Sequence, residues 1–300
     1  MLLKGLAILM VLSGHTGYLS FGGAGGVALF LLVSGYGIHV SVKHIGLSHF
    51  WSKRLKAVYL PYLPVAVFNL ALHFPCSRDQ IIATLLGLSY PNVDSTMWYI
   101  SYIFCWYAAY YAASLVGGLF RRTELSGTAR LVCIIAAALV CRGVTLRIWG
   151  VTQYLWVFPL GVCAGVLSEI KVSRRVNELA WSLCLGITTV YLFKMYLMRS
   201  DGLYAAMMAV QAVALRKVVQ LPPRAERVLS FMGKYSYAIY LFEGMMMFKR
   251  GLWFAPLNNQ VLIDAVYGIS SVLLGYIYWE FFYKKLLGFT RERSSTGLGS

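Results

Sequence analysis

The sequence predicts an all-α, polytopic membrane protein with about ten transmembrane helices in one bundle. Three observations carry this. The composition is 59% hydrophobic and only 13% charged, with a mean hydropathy of +0.66, against about 45–50% apolar and about 25% charged in a soluble chain. Charges this sparse do not cover the surface of a soluble protein, so the apolar excess faces lipid. The apolar residues also fall into ten stretches, near 4–20, 25–43, 56–74, 97–120, 130–147, 151–168, 179–198, 203–219, 235–254 and 262–283. Each approaches the ~20 residues that cross a ~30 Å hydrocarbon core. Finally, 27 Lys and Arg stand against 11 Asp and Glu, and the basic residues cluster between the stretches.

A segment crossing lipid must satisfy its backbone polar groups internally, so these stretches read as helices. The strict alternation of a membrane β-barrel is missing. With the N-terminus inside, the cytoplasmic face holds twenty of the 27 basic residues and the outer face six. That bias places both termini in the cytoplasm. The net charge of +16 is thus an orientation signal, and nucleic acid is not among the expected partners. Residues 1–290 read as one membrane domain and 291–300 as a short disordered cytoplasmic tail.

The first stretch pairs Lys4 with His15. Eleven residues separate them, about 16 Å along a helix, which keeps Lys4 at the cytoplasmic face and sets His15 near the middle of the membrane. An ionisable group at that depth is costly and marks function, and histidine is the side chain suited to proton transfer near neutral pH. Lys4 followed by Leu6–Leu12 also fits a secretion signal, but His15 interrupts the run and no cleavage site follows.

The second stretch is glycine-rich, at Gly22, Gly23, Gly25, Gly26, Gly35 and Gly37. Small residues there serve either close helix packing or close approach of a ligand. No nucleotide-binding spacing and no nucleophile elbow occurs. His39, His44 and His49 are five apart and do not stack on one helix face. The six cysteines have no metal-ligand spacing, so no metal is expected.

The third stretch is entered through Phe50-Trp51-Ser52-Lys53-Arg54-Leu55-Lys56. Three cations just under the membrane make either an interfacial anchor or an anion site able to hold coenzyme phosphates. In the ninth stretch, Glu243 lies about two turns inside the helix. A lone carboxylate there needs a partner or a proton.

Five segments, in order, resemble the acyltransferase-3 family of integral-membrane acyltransferases. They are the Lys4…His15 spacing; Gly26-Val27-Ala28-Leu29-Phe30 with Ser34-Gly35-Tyr36; the basic loop Phe50–Arg54 through Pro61; Trp98-Tyr99-Ile100; and Phe231-Met232-Gly233-Lys234-Tyr235-Ser236-Tyr237 with Ile239-Tyr240-Leu241. The resemblance implies a ten-helix O-acyltransferase of the bacterial inner membrane. Its donor would be acyl-CoA, acetyl-CoA foremost, and its acceptor a hydroxyl on a glycan or lipid-linked saccharide. It implies that His15, Lys4 and Arg54 are the essential positions, and on the residues themselves His15 is then the catalytic base with Glu243 orienting its ring, while Lys4, Lys53 and Arg54 hold the coenzyme. The chain departs from the family at Ala28, where an acidic residue is common, at Ala57, where the second arginine of the basic loop falls, and at Glu243, where histidine is common. A non-enzymatic transporter or flippase for a lipid-linked sugar would use the same polar groups at depth, without needing acyl-CoA.

Overall fold

The computed structural model describes residues 1–16, 22–88, 90–119, 131–137, 152–170, 172–198, 203–253 and 255–285. The main helices are α1 (Leu2–Gly14), α2 (Gly23–Ile45), α3 (Phe50–Leu72), α4 (Arg78–Leu86), α5 (Trp98–Leu119), α6 (Val157–Leu167), α7 (Arg174–Met198), α8 (Tyr204–Val218), α9 (Pro223–Trp253) and α10 (Gln260–Ile277). A π-turn at Leu55–Tyr59 interrupts α3, and another, Tyr278–Tyr283, continues α10. No strand occurs among the described residues. Every expected span falls on a helix except the fifth, which lies largely outside the described residues, as do Arg142, Arg147 and the tail. Among the described residues, four helical stretches are long and apolar enough to cross a membrane: Gly23–Ile45, Phe50–Leu72, Arg174–Lys194 and Gln260–Tyr283. Leu2–Gly14 and Val157–Leu167 are apolar but shorter.

Three local features differ from the sequence reading. The first helix ends at Gly14 instead of running through His15, which becomes its C-cap with φ −101° and ψ 2°. A helix, α4, occupies what reads as an outer loop. Ser77 and Gln80 close a capping box at its start, with Gln80 N–H donating to Ser77 Oγ at 3.2 Å and Ser77 N–H to Gln80 Oε1 at 2.9 Å, a Ser-x-x-Gln signature present in the sequence. Tyr59 and Tyr62 of α3 donate to the carbonyls of Leu85 and Thr84 and pin α4 back onto α3. The third is α9, which starts well before 235, because Pro223 suits the first position of a helix and Glu226 favours its N-terminal turn.

α1 packs against α2 and α9, α2 against α6 and α8, and α9 against α10. Glycines set these approaches. A Cβ on Gly5 would lie 1.9 Å from the Leu229 carbonyl oxygen, and one on Gly233 would lie 2.1 Å from that of Met1. In the glycine-rich stretch, a Cβ on Gly26 would come within 2.6 Å of the Ala7 oxygen, and one on Gly35 within 2.3 Å of the Phe158 oxygen. Close helix packing accounts for Gly26 and Gly35. Gly22 and Gly23 stand instead at the mouth of α2 and line a cavity.

Candidate active site

His15 projects from the C-terminal end of α1 toward the middle of α9. Its Nδ1 lies 2.8 Å from Glu243 Oε2. Glu243 is fully buried, while the His15 side chain keeps 32% of its surface exposed. Tyr267 of α10 donates its hydroxyl to the same Oε2 at 2.7 Å. One carboxylate oxygen thus accepts from two donors, and the other, Oε1, is buried with no hydrogen-bond partner. Where the carboxylate is ionised it is acceptor-only, and the bond then makes Nδ1 the donor and puts the ring's lone pair on Nε2.

These groups sit at one end of a cavity of about 400 Å³. Its walls come from helix termini: His15 at the end of α1, Gly22 and Gly23 at the start of α2, Trp98 and Tyr99 at the start of α5, and Tyr204 at the start of α8. Tyr154 and Tyr240 add further aromatic surface to the lining. The Trp98 and Tyr154 rings stack at 5.6 Å and 22°, and Tyr99 meets Tyr240 edge-on at 5.7 Å. An aromatic enclosure with a polar pair at one end is the usual make-up of a small-molecule site.

The loop before α5 braces this end. Asp94 is 1% exposed. Its Oδ1 accepts from the Thr96 amide at 3.0 Å and the Thr96 hydroxyl at 2.6 Å, and its Oδ2 from Asn69 Nδ2 at 3.4 Å. Burial pushes the Asp94 carboxyl up to about 6; the Thr96 bonds oppose this and the nearby Glu243 charge adds to it. Tyr240 donates to the Thr96 carbonyl at 2.6 Å, tying the loop to α9 one turn before Glu243.

The basic residues gather at the other end of α1. Arg54 lies with its guanidinium carbon 5.7 Å from the Phe50 ring centre and 5.6 Å from that of Tyr107. Its Nε is buried with no hydrogen-bond partner. Lys4, in the first turn of α1, is near enough for its charge and that of Arg54 to repel. Lys53 is exposed on the preceding position. The structure therefore brings His15 to Glu243, and Lys4 to Arg54, as two clusters separated by most of the length of α1. A further histidine, His39, is buried elsewhere, on α2, with Nε2 3.2 Å from Glu169 Oε1.

Sequence reasoning passed over Tyr267 and Asp94. Tyr267 is one of 21 tyrosines and carries no local signal. Asp94 did carry one: an aspartate just ahead of a helical run is an N-cap, and it caps the turn Ser95–Met97 that leads into α5.

No curated protein and no solved structure matches the chain. The model of an acyltransferase domain family matches residues 2–280, and this range takes in both clusters. The chain belongs to that family, the acyltransferase-3 family of membrane acyltransferases.

Proposed function

We propose that the protein is a ten-helix inner-membrane O-acyltransferase that moves an acyl group, acetyl foremost, from cytoplasmic acyl-CoA to a hydroxyl of a glycan or lipid-linked saccharide. The observation that carries this reading is the His15–Glu243 pair opening on an aromatic cavity. An acyl transfer needs a base beside a space for the acceptor; the pair supplies the base and the cavity the space.

Neutral His15 takes the acceptor's hydroxyl proton at Nε2 as the oxygen attacks the thioester carbonyl. The C–O bond forms, the C–S bond breaks, and the imidazolium returns its proton to the coenzyme thiolate. Glu243 holds Nδ1–H and balances the imidazolium charge, as the third member of a hydrolase triad does. The C–H face of a sugar ring suits the negative faces of Trp98 and Tyr154.

The donor's phosphates belong at Arg54, Lys4 and Lys53. Two neighbouring cations with no carboxylate bridging them among the described residues, and a buried guanidinium N–H without an acceptor there, call for an anion. From there the coenzyme's arm reaches about 16 Å along α1 to His15. Lysine at position 56 and alanine at 57 leave Arg54 as the planar fork of this site.

The test is mass spectrometry of surface glycans from cells with and without the protein. The proposal expects a loss of one acyl mass per modified residue when the protein is absent. It also expects purified protein in liposomes to release CoA from acetyl-CoA only when extracted glycan is supplied. Altered glycan export with unchanged glycan mass, and no use of acetyl-CoA, would favour the transporter.

A further inference from the structure

We infer that Tyr267 is a positioning residue for the transfer, acting through Glu243 to hold His15 as a base; the inference rests on the proposed acyl transfer. Glu243 lies on α9 with none of its surface exposed, and Tyr267 on α10 is equally buried. Neither side chain is therefore exposed at the surface. A buried carboxylate keeps its charge only when donors replace the lost hydration. Oε2 has two donors, His15 Nδ1–H at 2.8 Å and the Tyr267 hydroxyl at 2.7 Å.

Both donors act in the same direction. Each replaces part of the hydration that the buried carboxylate has lost, and a carboxylate that only accepts makes Nδ1 the donor. The phenol hydroxyl supplies the second bond that His15 alone does not. It keeps the proton on Nδ1, the lone pair on Nε2, and a negative charge in place for the imidazolium of the transition state. Tyr267 does not line the cavity that His15 and Glu243 line.

The position also belongs to this chain's own chemistry. Glu243 stands where the sequence resemblance has histidine, and a carboxylate in that place needs a donor that an imidazole would not. Tyr267 supplies it from the neighbouring helix. The ring packs in an apolar cluster with Leu12, Met232 and Ile239, so Tyr267→Phe removes the hydroxyl and preserves the packing.

The experiment compares the parent, Tyr267→Phe, Glu243→Gln and the double variant in liposomes, with acetyl-CoA as donor and extracted surface glycan as acceptor. Hydrogen bonds to charged groups suggest a kcat loss of about tenfold or more for Tyr267→Phe, with the KM for acetyl-CoA unchanged. In the Glu243→Gln background the same change should cost nothing further, because its target is gone. An independent loss in that background, or a rise in KM with kcat intact, would overturn the inference. A second readout does not depend on the donor's identity. The ring nitrogen resonances of His15, assigned by their disappearance in His15→Gln, should move in Tyr267→Phe at unchanged thermal stability. Unmoved resonances refute the positioning role even if acetyl-CoA proves to be the wrong donor. Moved resonances without acetyl-CoA turnover uphold the hydrogen-bonded unit and refute only the proposed donor.

Discussion

Gly244 lies against the Asp94 loop so closely that a Cβ on it would stand 1.9 Å from Thr96 Oγ1 and 2.9 Å from Asp94 Oδ2. The residue after Glu243 is therefore the seat on which the loop before α5 rests. Trp98 and Tyr99 follow directly from that loop into the cavity. The loop, the first turn of α5 and the carboxylate that holds His15 form one packed unit.

Gly244→Ala should push the Asp94 loop off α9. Overpacking of this kind costs about 1–3 kcal/mol, and the displaced aromatics should raise the acceptor KM more than the donor KM. Asp94→Ala should act in the same direction by removing the cap, at about 0.5–2 kcal/mol. Asp94→Asn keeps a capping oxygen and should be milder. Thermal unfolding in detergent with steady-state kinetics checks the order; a Gly244→Ala protein with parent kinetics would show that the loop has room to move.

Arg54→Ala should weaken acyl-CoA binding and leave the acceptor requirement as it was, because the side chain is assigned to phosphate and not to the carbonyl. Arg54→Lys should rescue in part, since lysine keeps charge but loses the planar fork. Full rescue would mean a simple charge effect. Binding of a labelled CoA analogue to protein in nanodiscs measures this directly, and unchanged binding in Arg54→Ala would move the proposed donor site away from Arg54.

Reporter fusions after Arg122, after Arg175 and after Arg291 should report cytoplasm, and fusions near Asn92 and Asn258 should report the outer side. The asymmetry of basic residues motivates this. A cytoplasmic signal at Asn258 would mean that the chain crosses the membrane a different number of times beyond α8.

Glu169 ties the end of α6 to α2, 2.9 Å from Lys43 Nζ and 3.2 Å from His39 Nε2. The Lys43 bond, followed by that of His39, holds its carboxyl below the ordinary value of 4.5. A carboxyl lowered in the folded state adds stability that is present above the unfolded value and is lost as pH falls through the folded one. The Glu169 contribution should fade below about pH 4.5. Glu169→Gln should flatten that acid-side loss and change little near neutrality, since the group is exposed and screened. Melting temperatures across that pH range test it; an unchanged acid slope would show that other carboxylates govern it.

Helix existence was legible because lipid leaves the chain one solution, and apolar length alone marks it. Helix ends were not, since they rest on caps and packing: His15 terminates α1, and Ser77 with Gln80 starts α4. His15 and Glu243 stood out because charge at depth is costly, and Arg54 because it stands in a run of cations just under the membrane. That His15 meets Glu243 across 228 positions follows from Gly5 and Gly233 letting α1 and α9 touch, a contact no local pattern encodes. Tyr267 was invisible for the opposite reason, because a tyrosine in an apolar helix is ordinary until its partner is known.

The His15–Glu243 pair should behave as one unit. His15→Ala should reduce acyl transfer by about 10²–10⁴-fold, the usual contribution of a positioned base, while the protein still inserts and still binds acyl-CoA. His15→Gln keeps size and hydrogen bonding but has no lone pair basic enough to take the proton, so it should be equally impaired. Glu243→Gln should be milder, since an amide still offers Nδ1–H an oxygen but no charge for the imidazolium. The double variant should be no worse than His15→Ala alone, because the parts of a unit are not additive. Turnover and CoA binding measured on the same preparations separate chemistry from folding. A well-inserted, active His15→Gln would take the base out of the mechanism and leave His15 as a packing residue. A double variant that loses the product of two separate effects would assign Glu243 to the acceptor side of the cavity, where its buried Oε1 would then face the substrate.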